Sequence, residues 1–294
     1  MSPGNREEGQ DGAVLELRDT ILRVLLDDAG IERPIESQSR LAQEIAASTR
    51  EVSRNFLSQL PQHCNMLAAA IADALDALAR LEPSLAFSGV VVARGLLEAA
   101  ADLYWLSERG INGVERTRRT FLVFLRQHET QVRGITHYSR RLPPGRQDEV
   151  AKLSVAITEG WESLRRHAEE MASAGYALRT SNRPGSKYSV GEPKPPVGEL
   201  VDRLISEHLG TAAIPIYSMY SSVAHAEGEG LGSLRVMGDT VETPEGTRYL
   251  RGFNAVMWQQ RVLTPATRGA AGALSAWAEL AYPKRWEEVE RADR

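Results

Sequence analysis

Apolar residues recur at helical spacing along most of this chain. Val14, Leu17, Ile21, Leu22 and Leu25 mark a first helix over 13–29, which stops at Ala29-Gly30-Ile31-Glu32-Arg33-Pro34. The same reading predicts helices over 37–60 and 61–81, the second opened by Pro61, and then over 84–108. A long helix follows over 112–141, with Phe121, Phe124, Leu125, Val132 and Ile135 on its apolar face and a break at Leu142-Pro143-Pro144-Gly145. The next spans 146–175, closed by Gly175. Residues 179–196 are rich in Pro, Gly and Ser and read as a mobile loop of the kind that forms lids. A short helix at 197–209 comes next, then one in which Pro215 suits the first turn. Residues 233–250 alternate around Pro244-Glu245-Gly246 and predict a β-hairpin, before a final helix over 254–281. The polar residues 1–12 read as a disordered tail, and 283–294 as a charged stub. The expected fold is therefore all-α: one helical-bundle domain over 13–282, about eight helices with a small hairpin insertion.

Within this pattern the segment Leu85 to Leu106 stands apart. It is apolar almost all round, yet carries Arg94, Glu98 and Asp102, each four residues from the next and so on one side of a helix. Charge in an interior is costly unless it is paired or serves a site, so this stripe is the first candidate pocket. The segment is long enough to span a bilayer, but three charges within it argue for a buried helix and against a membrane location.

Composition narrows the classes. The 294 residues, 42% of them hydrophobic, can bury a sizeable core. A net charge of −4 gives no bulk reason to expect duplex nucleic acid as a partner. The single cysteine, Cys64, excludes an intrachain disulfide and a cysteine zinc cluster and fits a cytoplasmic location. On a helix the neighbouring His63 points about 100° away from it, so Cys64 reads as structural.

A second candidate face surrounds His225. Tyr217, Ser221 and His225 fall four residues apart, with Ser218 and Ser222 beside them, so phenol, hydroxyls and imidazole share one helical face. An imidazole beside a hydroxyl can activate a nucleophile, and together with Arg it can hold a phosphate or carboxylate. Read with the first stripe, Arg94 would hold an anionic group, with Asp102, Tyr217 and Ser221 beside it. Glu98 would orient Arg94 or act as acid or base, and His225 with Ser222 would carry chemistry. The competing reading makes the same residues a structural polar network of a non-enzymatic interaction protein.

A buried helix bearing Arg94-Gly-Leu-Leu-Glu98, followed more than a hundred residues later by Tyr217-Ser-Met-Tyr-Ser-Ser-Val-Ala-His225, resembles uncharacterised bacterial all-helical proteins related to the HEPN superfamily. The resemblance spans residues 60–230 and implies a helical bundle, a homodimer and a nucleotide- or RNA-directed role. Ribonuclease members carry an Arg and a His separated by four to six residues, usually with a polar residue directly after the Arg. Here Arg203-Leu204-Ile-Ser-Glu-His208 has Leu204 at the polar position, so nuclease activity is not implied.

A metal-dependent helical oxidase is the other enzyme class. No His has a Glu three residues before it, the spacing common in helical di-iron sites, which leaves only an irregular set of Glu98, Asp102, His128, His167 and His225. No glycine-rich phosphate loop and no Gly-x-Ser-x-Gly elbow is present, and no cofactor is named by the sequence. Arg116-Thr-Arg-Arg119 and Arg165-Arg166-His167 read as solvated helix faces. The expectation is a polar inter-helix pocket for a small anionic or nucleotide-type ligand.

Overall fold

A computed structural model describes residues 8–26, 32–81, 86–143, 145–180, 188–210, 215–225, 236–243, 246–252 and 259–292. Among these the fold is all-α, with ten helices. In order they are α1 (Glu8–Leu25), α2 (Arg40–Ala47), α3 (Glu51–Arg80), α4 (Ala86–Ser107), α5 (Gly113–Ser139), α6 (Gln147–Ser173), α7 (Val197–Leu209), α8 (Pro215–Ala224), α9 (Thr264–Ala281) and α10 (Pro283–Ala292). A π-helical turn, Gln259–Leu263, leads into α9. Two antiparallel hairpins complete the description: β1 (Leu178–Thr180) with β2 (Tyr188–Val190), and β3 (Val236–Thr243) with β4 (Gly246–Gly252).

The hairpin expected over 233–250 is present as β3 and β4, paired from Val236 opposite Gly252 to Thr243 opposite Gly246 with a shift of register between Met237 and Thr240. Several local expectations change, among them the single helix over 37–60, which is divided between α2 and the start of α3. Residues 179–196, read as one loop, contribute most of β1 and all of β2, with Leu178 opposite Val190. The charged stub from Pro283 is helical because Glu36 caps it, its Oε2 accepting from the Lys284 N–H at 3.1 Å and its Oε1 from the Arg285 N–H at 3.0 Å. Pro61 does not start a helix but sits inside α3. Proline removes one helical hydrogen bond, but Phe56, Leu57, Leu60, Cys64, Ala68, Ile71 and Leu75 are buried along the helix on both sides of it, and that burial offsets the loss. Of the 1–12 tail, residues 1–7 lie outside the described residues and Glu8 onward belong to α1.

The chain divides into two compact units, one from the described residues of 1–40, 61–109 and 196–294, the other from 41–60 and 110–195. In the first, α4 packs against α7, α8 and α9. Small residues let α4 and α9 approach: a Cβ on Gly269 would lie 2.7 Å from Leu97 Cδ2. Beside them, Trp277 Nε1 donates to Asn65 Oδ1 at 3.2 Å, Asn65 Nδ2 donates to the Tyr282 hydroxyl at 3.2 Å, and that hydroxyl donates to the Arg33 carbonyl at 3.1 Å. Each buried polar group in this knot therefore has a partner. In the second unit α5 packs on α6, with Gly160 facing Val132, whose Cγ2 would lie 2.6 Å from an added Cβ. Phe56, Phe121 and Phe124 form its aromatic centre, and His128 and His167 pack against Phe124 at ring-centroid distances of 4.6 and 5.2 Å.

Candidate functional site

The structure brings together three of the seven residues expected to form the site. In the first unit, Arg94 Nε donates to Glu98 Oε1 at 2.8 Å, one turn along α4. The Tyr217 hydroxyl, from α8, donates to the same oxygen at 2.9 Å, and Arg94 Cζ lies 5.9 Å from the Tyr217 ring centroid. Burial, then the hydrogen bond to Glu98, pushes the Tyr217 phenol above its ordinary range. Burial alone would lower the Arg94 value, but hydrogen bonding and charge attraction from Glu98 outweigh it and raise it. The cluster is partly solvated, with side chains of Arg94 and Glu98 22% and 34% exposed. Among the described residues its hydrogen bonds run between its own members.

The remaining four stand apart. Asp102 is half-buried a further turn along α4, and Ser221 and Ser222 are half-buried on α8. His225 is exposed, because α8 ends at Ala224, and only its backbone N–H returns to the helix, at the Ser221 carbonyl. The expected continuous face of Tyr217, Ser221 and His225 therefore stops one residue short. Arg203 and His208 also diverge: Arg203 pairs with Glu108, whereas the His208 ring packs edge-on against Tyr104 at 5.6 Å.

A different arrangement appears in the second unit. A cavity of about 660 Å³ opens between the end of α2, the start of α3, the start of α5 and the turn after α6. Its lining includes Arg50, Ser53, Asn112, Gly113, Val114 and Tyr176. Two helices thus begin at one groove. The α5 start is legible in sequence as Asn112-Gly-Val-Glu115, a cap residue followed by an acidic third position. The Asn112 side chain accepts from the Glu115 N–H at 3.0 Å, which leaves the N–H groups of Gly113 and Val114 without an acceptor among the described residues. At α3 the Arg54 N–H returns to the Arg50 carbonyl at 3.1 Å, and among the described residues no side chain caps the N–H groups of Glu51, Val52 and Ser53. Such starts carry partial positive charge and attract anions.

The side chains add to this. Arg50 is exposed and forms no ion pair among the described residues. Its guanidinium rests over Gly175, at φ +85°, where an added Cβ would lie 3.2 Å from Arg50 Nη1. Ser53 is only 8% exposed, lines the groove, and makes no side-chain hydrogen bond among the described residues. Glu44 also lines the cavity, and its Oε2 accepts at 2.8 Å from Nε of the fully buried Arg116, which balances its charge. Glu115 takes hydrogen bonds from Arg118 and Arg119 at 2.5 and 2.8 Å. Burial would raise the Glu115 carboxyl, but those two guanidiniums outweigh it and hold it low. The Arg116–Arg119 run, read as a solvated face, is thus partly interior: Arg116 is fully buried and Arg119 only 7% exposed. Carboxylates within reach of both made that burial affordable.

Among the described residues no group of three or more His, Cys, Asp and Glu could hold a metal, so the irregular set of Glu98, Asp102, His128, His167 and His225 does not assemble. No helix among them is long and apolar enough to cross a membrane. No family model, curated protein or solved structure matches the chain.

Proposed function

We propose that this protein binds a small anionic ligand, and that the ligand seats in the groove of the second unit. One observation carries the reading: the starts of α3 and α5 open on the same cavity, where the N–H groups of Ser53, Gly113 and Val114, the buried Ser53 hydroxyl and the Arg50 guanidinium have no partner among the described residues. Partial positive charge, a full charge and a hydroxyl are what an oxyanion needs, and the cavity volume is in the range of small-molecule sites. The sequence expectation of an anionic ligand is kept, while its location moves from Arg94 to Arg50. The Arg94, Glu98 and Tyr217 cluster acts as a structural clamp, because Glu98 already occupies the guanidinium that would have held the anion.

Calorimetric titration with inorganic phosphate tests this. One saturable site, weakened at least tenfold in Arg50→Ala and unchanged in Tyr217→Phe, is the expected result. Absence of saturable binding, or binding that Arg50→Ala leaves intact, would refute the groove, and sensitivity to Tyr217→Phe alone would return the site to the α4 cluster.

A further inference from the structure

We infer that the anion is the phosphate of a monoester and that the ester carries a flat aromatic body; this rests on the reading of the groove given above. The two parts of the inference come from the polar and the apolar groups that line the cavity. At the helix starts, the N–H groups of Gly113, Val114 and Ser53 lack acceptors among the described residues, and the Ser53 hydroxyl and Arg50 guanidinium line the same cavity. So many donors exceed what the two oxygens of a carboxylate can accept. The three terminal oxygens and double charge of a phosphate monoester match them better.

The rest of the cavity is too large for phosphate alone. At about 660 Å³ it has room for an organic body, and sites of this size bind drug-sized molecules. Part of its wall is apolar. Val114, the second residue of α5, is apolar and 64% exposed. Tyr176 lines the same cavity, and its hydroxyl donates to the Val114 carbonyl at 3.2 Å, which ties the ring to the start of α5. An aromatic ring held beside an exposed valine, next to an anion seat, is a platform for a planar group joined to that anion.

Calorimetry on the full chain with phenyl phosphate, inorganic phosphate and benzoate tests both parts. Phenyl phosphate is expected to bind at least tenfold tighter than either of the others. Val114→Ser should pull the ratio of phenyl phosphate to inorganic phosphate toward one, whereas Arg50→Ala should weaken both by a similar factor and keep the ratio. Inorganic phosphate binding as tightly as phenyl phosphate would overturn the aromatic body while leaving the anion groove standing. Benzoate equal to phenyl phosphate would overturn the phosphate. If none of the three binds, the groove reading itself falls, and the inference with it.

Discussion

Arg116 donates its Nε–H to Glu44 Oε2 at 2.8 Å, with the arginine side chain fully shielded and the carboxylate 11% exposed. Removing one partner leaves a charge in the interior. Glu44→Ala should therefore cost about 3–5 kcal/mol. Urea unfolding of wild type and variant measures it, and a loss under about 1 kcal/mol would mean that water reaches Arg116.

The Arg94–Glu98 pair is more solvated, and its contribution is correspondingly smaller. Both side chains keep part of their surface in water, so screening reduces the pair to the scale of a surface interaction plus one charged hydrogen bond from Tyr217. Glu98→Ala should destabilise by about 1–2 kcal/mol, and Tyr217→Phe by about 1 kcal/mol. Thermal melts of the two variants check the order, which fails if Tyr217→Phe is the more damaging.

Gly272 on α9 has no room for a side chain, because an added Cβ would lie 2.3 Å from His208 Nε2. Gly272→Ala should cost about 1–3 kcal/mol through overpacking. In a His208→Ala background the same change should cost far less. A double-mutant cycle reads the coupling, and additive effects would show that the ring turns aside freely.

Burial first, and then the charge of His167, hold the His128 imidazole below its ordinary value of 6.5. The unfolded chain therefore takes up this proton at higher pH than the folded one. Stability contributed by neutral His128 is present above about 6.5 and is lost as pH falls from there through the folded value. Chemical denaturation at pH 7.5 and pH 5.5 should show a smaller loss in His128→Asn than in wild type. An equal loss in both would assign the acid sensitivity to other groups.

Much of the fold was legible because helical periodicity is local. The reading of 197–209 as a helix coincides with α7, and Pro215 stands at the first residue of α8. The apolar segment carrying Arg94 and Glu98 is α4, and the spacing of those two charges was enough to foresee their pairing. The groove was hidden for a different reason. Ser53, Gly113 and Gly175 are far apart in sequence and meet only through packing, which leaves no periodic trace. Arg116 looked solvated because charge on a helix usually is, and its buried partner Glu44 lies 72 positions earlier. His225 was misplaced by a single residue of helix, since α8 ends at Ala224 and exposure changes abruptly at a terminus.

Glu36 closes α10 from 248 positions away, through the backbone of Lys284 and Arg285. A contact with so long a loop between its ends forms late, since the entropy of closing that loop must be met before the cap gives anything back. On a growing chain the carboxylate emerges early and waits for its helix. Loss of the cap in Glu36→Ala would then leave the refolding rate unchanged and speed unfolding, so that the last turn of chain to dock is the first to let go.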